Sequence, residues 1–407
     1  MGLSDQAATV ALQSGRQGPG LQAPSDWTNG GFGIYVHWPF CSAKCPYCDF
    51  NSHVSRSVDH ALWREALVAE AGHMRALTGP RGADTMFFGG GTPSLMEPAT
   101  VAAVIGAVEK LWGLAPGAEI TLEANPTSIE AARLRAFAEA GVNRVSMGVQ
   151  ALRDPDLKAL GRMHSVADAL AAFDTARTVF DRVSFDLIYA RMGQSPENWA
   201  TELAEALALG PDHLSLYQLA IEDGTRFAEL HARGRLDLPE DGPAAEMYEI
   251  TQEVTAAAGL PAYEISNHAR PGSESRHNLI YWRLGDYAGI GPGAHGRITG
   301  QNGLTSALAT ERDPAAWLQK VGREGNAIVE DFATPSEDRA DEYLMMALRL
   351  REGAETSRYE ALAGRPLPSS RVEDMIASGH LNLTGDRLRA TAMGRLVLNS
   401  VLAELLV

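Results

Sequence analysis

Six short runs of β-branched and aromatic residues, separated by five amphipathic stretches, limit what this chain can fold into. Gly33–Trp38, Thr85–Phe88, Glu119–Glu123, Arg144–Val149, Arg182–Ile188 and His213–Leu219 read as strands. Asp59–Leu77, Ala99–Leu111, Ser128–Ala140, Val166–Phe180 and Pro196–Leu209 place apolar residues at helical spacing between them. Strands joined by helices pair in parallel, so the expected class is α/β: a parallel sheet with helices outside, as an open wound sheet or a partial (β/α)6 barrel. That unit is assigned to residues 31–240. Residues 1–30, rich in Gly, Gln, Ser and Ala, lack the basic start and apolar core of a signal peptide and read as a disordered leader. Residues 241–330 read as a looser extension of the barrel. Residues 331–407 read as a mostly helical, winged-helix-like domain with a hairpin around Gly385-Asp386 and a last helix from Ala392.

All three cysteines fall within one stretch of eight residues: Cys41, Cys45 and Cys48. Three thiolates on one short loop are one ligand short of filling a four-iron, four-sulfide (4Fe–4S) cluster, which leaves one iron open. An open metal position is where chemistry can happen. Two other readings use the same residues. A Cys-x-x-Cys pair can act as a redox disulfide, but this would leave Cys41 idle. Zinc can take the three cysteines with His37 or His53, giving a zinc-stabilised interaction protein, although structural zinc loops usually come as paired knuckles. The absence of any further cysteine argues against an oxidised, secreted protein.

Strand C-terminal ends form the rim of such a barrel. Cys41 to Cys48, Gly89 to Pro93, Glu123, Gln150 and Asp186 are each expected just past one. In Phe88-Gly-Gly-Gly-Thr-Pro93 the glycines allow close backbone approach or positive φ. Thr92 is expected to cap a helix and Pro93 to open it, leaving N–H groups free for a polar ligand. The same run also suits a tight turn with no ligand. Glu123, Gln150 and Asp186 put polar groups where core residues would be ordinary, and burial without partners is costly. Singly, each could satisfy a backbone turn. Together they offer acceptors for an ammonium and for hydroxyls, with Arg162 placed to pair a carboxylate.

The formal charge of −16 speaks against a nucleic-acid partner, whose phosphates call for a basic face. Residues 331–407 carry nine Arg and no Lys against twelve Asp and Glu, so the wing reads as structural or protein-binding. No apolar run reaches the ~18 residues of a spanning helix, which leaves peripheral membrane contact open and indicates a cytoplasmic protein.

The C-x-x-x-C-x-x-C spacing resembles the signature of the radical S-adenosylmethionine (SAM) superfamily, in which the amino and carboxylate groups of SAM chelate the open iron. Tyr35-Val-His-Trp-Pro-Phe-Cys41, Gly89-Gly-Gly-Thr-Pro93, Glu123-Ala-Asn-Pro126, Gly148-Val-Gln150 and Leu160-Gly-Arg-Met-His164 resemble the oxygen-independent coproporphyrinogen III oxidase family. Cys45-Pro-Tyr-Cys-Asp-Phe-Asn-Ser-His53 and His277-Asn-Leu-Ile-Tyr-Trp282 are similar to its haem-chaperone branch, HemW. The resemblance runs from about Gly33 to the C-terminus. It implies that Tyr35, Gly90, Glu123 and the cluster cysteines contact a first SAM. Tyr47, Gly91, Thr92, Gln150, Arg162 and Asp186 match positions of a second SAM site in the oxidases. Those oxidases carry a fourth cysteine where this chain has Phe50, so the resemblance favours a chaperone over coproporphyrinogen oxidation or another 5′-deoxyadenosyl-radical reaction. Its implied partners are haem and acceptor haemoproteins, respiratory or storage. One departure stands out: after Asp186-Leu-Ile-Tyr189 the family continues Gly-Leu-Pro-Gly-Gln, and this chain has Ala190-Arg-Met-Gly-Gln194.

His277, Asn278, Tyr281 and Trp282 place an imidazole, an amide and two aromatics within six residues. An exposed histidine beside flat aromatic surface supplies a haem with an axial ligand and faces for the macrocycle. The same segment also suits a strand or loop with its aromatics buried. The resemblance favours haem at these four residues, with His295 in Gly289-Ile-Gly-Pro-Gly-Ala-His-Gly296 as a second ligand candidate. The distance in sequence from the cysteine loop implies that haem capture is independent of the cluster.

Overall fold

The computed structural model describes residues 26–406 apart from Arg56. Its central element is an eleven-stranded sheet. In chain order the strands are β1 (Phe32–Trp38), β2 (Ala83–Gly90), β3 (Leu114–Ala124), β4 (Arg144–Gln150), β5 (Arg182–Tyr189), β6 (His213–Gln218), β7 (Asn267–Ala269), β8 (Asp286–Ile290), β9 (His295–Thr299), β10 (Thr305–Thr310) and β11 (Ile328–Thr334). The spatial order is β11-β10-β9-β8-β1-β2-β3-β4-β5-β6-β7. Strands β1 to β6 pair in parallel in sequence order, and β8 joins the free side of β1, also in parallel. The remaining neighbours are antiparallel.

All six strands read from the sequence are present, and the helices fall between them. The helix at His60–Thr78 begins at Asp59, whose side chain accepts from the Leu62 N–H, and Val166–Val179 opens with a Ser165–Asp168 capping box. The strand period of two then divides the molecule. Phe32, Ile34, Val36 and Trp38 of β1 are fully buried in the main core among the surrounding helices. Alternate residues face inward, and there the barrel is polar. Arg144 Nη2 donates to Ser184 Oγ at 2.9 Å, Ser184 Oγ to Ser146 Oγ at 3.0 Å, and Ser146 Oγ to Asp186 Oδ1 at 3.3 Å.

The expected leader needs correction at its end. Residues 1–25 lie outside the described residues, but Asp26–Asn29 form a 3₁₀ turn. Arg358 fixes Asp26 with a two-pronged ion pair at 2.9 and 3.0 Å, and Trp27 packs edge-on against Phe32. The stretch at 271–303, where the sequence pattern loosens, holds a helix (Arg276–Trp282), β8 and β9. The boundary drawn at 330/331 cuts through β11, which pairs with β10. A second core lies mainly beyond it, and Leu284 of the preceding extension packs there among Tyr343, Leu344, Tyr359, Leu388 and Leu402. The tail carries the expected hairpin (Leu381–Thr384 with Arg387–Ala390) and ends in two short helices from Ala392, broken at Val397.

The unusual segment after Tyr189 has its own internal support. Arg191, only 2 % exposed, pairs with Asp156 at 2.7 Å and Glu202 at 2.5 Å, and its N–H donates to Gln194 Oε1. Ion pairs of the buried Arg191 thus hold this segment in place.

Candidate functional site

The cysteine loop leaves β1 and is bonded to the end of β2. Gly91 N–H donates to Trp38 O at 2.7 Å and Thr92 N–H to Phe40 O at 2.9 Å. A Cβ on Gly90, at φ +109°, would meet the His37 ring at 2.5 Å, and one on Gly91 would meet Phe40 O at 2.8 Å. The glycines thus let two backbones close on each other. The Gly91 and Thr92 N–H groups are taken in this way, and the Gly90 N–H by Glu123 Oε2 at 3.3 Å. Thr92 does not cap the Pro93–Leu95 turn with its side chain. Its hydroxyl donates to Cys41 Sγ at 3.4 Å instead.

Beyond the cysteines, Asn51 ties the loop down. Its Nδ2 donates to Pro292 O and Arg312 O, both at 2.9 Å, and its carbonyl bonds His37 Nε2. The Gly289-to-Gly296 segment closes on the same loop: a Cβ on Gly291 would strike His37 O, and one on Gly293 the Asn51 amide. His295 opens β9 and is half-buried.

The carboxylates gather as expected, though deeper than a rim. Glu123 is the next-to-last residue of β3, and Asp186 lies within β5 rather than past its end. Burial and the neighbouring Asp186 push the Glu123 carboxyl up to about 8. Burial raises Asp186 as well, partly offset by Ser215 and Arg144. Two half-buried carboxyls in one site favour a cationic neighbour. Gln150, at the end of β4, adopts φ +73° and leaves its buried Oε1 without a partner. Backbone strain and an orphan acceptor thus coincide in one residue. Tyr35 is pushed up by burial and by Glu123, and its hydroxyl meets His37 Nδ1 at 3.1 Å. Tyr47, half-buried, leans on Phe227. Arg162 is engaged: Nη1 donates to Cys45 Sγ at 3.3 Å, and Nη2 to Asn125 Oδ1 at 2.5 Å and Gly148 O at 2.8 Å.

The His277 segment departs from expectation. It is a helix, and His277 is 1 % exposed rather than presented to solvent. Its Nδ1 lies 2.6 Å from Thr85 Oγ1, its Nε2 lies 2.8 Å from the Tyr281 hydroxyl, and burial pushes its pKa down to about 3. Residues four apart share a helix face, so His277 and Tyr281 turn inward together. Asn278 and Trp282 are half-buried on the neighbouring face. The His277 ring stacks 5.1 Å from Phe87 and 6.5 Å from Tyr35. His277 thus lies in ring contact with Tyr35 of β1, the strand that leads into the cysteine loop.

Comparison with known proteins places this geometry. Residues 35–205 match the Radical SAM superfamily and residues 334–397 the HemN C-terminal domain. The heme chaperone HemW of Escherichia coli (strain K12) is 37% identical over 373 residues, covering 91% of this chain and 96% of that protein. HemW of Bacillus subtilis (strain 168) is 33% identical over 379 residues, with 91% and 98% covered. The chain belongs to the HemW-type radical-SAM family. A Mus musculus relative, radical S-adenosyl methionine domain-containing protein 1, mitochondrial, is 41% identical over 92% of this chain and 87% of that protein. The fold matches that of coproporphyrinogen III oxidase (HemN) from Escherichia coli with a TM-score of 0.77 at 22% identity, covering 94% and 92% of the two chains.

The HemW-type residues suit the groups this family implies. Burial raises the thiols of Cys41 and Cys48, so the positive charge of iron is what would hold them as thiolates. Of the two histidines offered to zinc, His37 has both ring nitrogens engaged, and His53 Nε2 lies 3.1 Å from Asn51 Oδ1. Among the described residues no group of three His, Cys, Asp or Glu side chains is placed to hold a single ion. None of the described helices is long and apolar enough to cross a membrane. Sequence reasoning missed Asn125, Ser52 and Arg144. Asn125, inside Glu123-Ala-Asn-Pro126, and Ser52, inside the run from Cys45 to His53, lay in motifs already singled out; Arg144 did not.

Proposed function

We propose that this protein is a cytoplasmic haem chaperone that carries a 4Fe–4S cluster on Cys41, Cys45 and Cys48, binds SAM, and passes haem to respiratory or storage haemoproteins. The cluster would supply an open iron for the amino and carboxylate groups of SAM. Tyr35, Gly90 and Glu123 would line that first SAM, and Gln150 and Asp186 would add acceptors for its charged and hydroxyl groups. The observation that carries the reading is that the His277-to-Trp282 helix is built into the same barrel as the cysteine loop, in ring contact with Tyr35. Relatives named heme chaperone support it, as does Phe50 standing exposed where the oxidases have a cysteine. In this reading haem reaches His277 only when Arg276–Trp282 lifts from the barrel, with Asn278 and Trp282 as its outer contacts.

The test is a titration of anaerobically reconstituted full-length protein with haem and, separately, with coproporphyrinogen III and SAM. A saturable Soret shift without SAM-dependent loss of coproporphyrinogen is expected. Oxidation of coproporphyrinogen with SAM consumption, and no saturable haem binding, would replace the chaperone reading with the enzyme reading.

A further inference from the structure

Each cysteine sulfur has a side-chain partner from elsewhere in the site. Thr92 Oγ1 donates to Cys41 Sγ at 3.4 Å, Arg162 Nη1 donates to Cys45 Sγ at 3.3 Å, and the Ser52 hydroxyl lies 3.8 Å from Cys48 Sγ. The first two are joined through one residue. Asn125 Nδ2 donates to Thr92 Oγ1 at 3.1 Å, and Asn125 Oδ1 accepts from Arg162 Nη2.

Proton inventory fixes the direction of every bond in this chain. A guanidinium has only donors, so Asn125 must turn its oxygen toward Arg162. Its NH₂ then faces Thr92 and occupies the hydroxyl as acceptor. The one hydroxyl proton is left pointing at Cys41. A second carbonyl, Gly148 O, holds the guanidinium at 2.8 Å and fixes its plane.

We infer that Arg162, Asn125 and Thr92 form a clamp that orients two cluster thiolates and raises the cluster's reduction potential. Hydrogen bonds to ligand sulfur stabilise the extra electron density of a reduced cluster, and a cationic donor does so more strongly. Partners of this kind also hold metal ligands in place. The inference rests on the cluster part of the reading above and not on its haem part.

The experiment uses reconstituted full-length protein, with iron and sulfide counted and the midpoint potential measured by dithionite titration followed by electron paramagnetic resonance. Thr92→Val removes the hydroxyl donor, and Thr92→Ser keeps it. Asn125→Asp keeps the shape but offers only acceptors, so the Thr92 proton turns away from Cys41 and the Arg162 charge is neutralised. Thr92→Val and Asn125→Asp should shift the midpoint to more negative values, by about 59 mV for each tenfold change in the oxidised-to-reduced ratio. Thr92→Ser should match wild type. Loss of iron from Thr92→Val with retention in Thr92→Ser would support the clamp through cluster assembly. Unshifted potentials in fully loaded variants would overturn it. Wild-type protein that takes up no iron or sulfide would instead end the cluster reading itself.

Discussion

Single side chains at this site are set by who donates to whom. Replacing any one of Cys41, Cys45 or Cys48 by Ala should abolish the brown colour and the iron, about four per chain in wild type; chemical iron and sulfide analysis checks it. Glu123 carries a pH signature. Its folded carboxyl titrates near 8 against an ordinary value of 4.5. Between those values the unfolded chain has released the proton while the folded chain retains it, so the apo protein loses stability as pH rises through that window. Glu123→Gln should therefore gain in melting temperature over wild type progressively from pH 5 to pH 8. A constant difference across that range would mean that the carboxyl is ionised in the fold. The cysteines, the glycines and Glu123 were legible in the sequence, because each residue type announces its chemistry. Asn125 and Ser52 were not, since an amide or hydroxyl takes its role from neighbours that only folding supplies.

The main elements read differently from their connectors. The six parallel strands and their helices were visible as runs whose period matches 2 or 3.6 residues, long enough to register. The segment from Arg276 to Thr299 was not: a seven-residue helix and two five-residue strands, crowded with glycine, are too short for a period to emerge. Its glycines are there for close approach; a Cβ on Gly285 would meet Gly31 O at 2.5 Å. The helix nevertheless seats His277 in the core. His277→Ala should lower unfolding free energy by about 2–4 kcal/mol without haem present, since it leaves a cavity and strips partners from Thr85 and Tyr281. Denaturant titration measures this. Thr85→Val breaks the same buried bond and leaves the ring intact, so it separates a packing effect on haem binding from loss of an iron ligand.

At the scale of the molecule, two cores meet at Leu284, a 5 % exposed residue at φ +53° that belongs to the barrel extension and packs into the C-terminal domain. Leu284→Ala should cost about 2–5 kcal/mol. The loss should fall on the C-terminal domain, splitting one calorimetric transition into two, and a single unshifted transition would refute the link. Paired ions bind the same halves: Arg358 holds Asp26, Arg283 holds Glu352, and Arg297 holds Glu342. The ring contact between Tyr35 and His277 has a wider consequence if the protein is the chaperone proposed above. If SAM settles on a barrel whose helix is docked, and haem needs that helix displaced, the two ligands are antagonists that never touch. Linkage then makes the penalty mutual, each weakening the other by the same factor. A haem titration repeated at saturating SAM would read that factor directly, and SAM arrival would be the event that ejects the cargo.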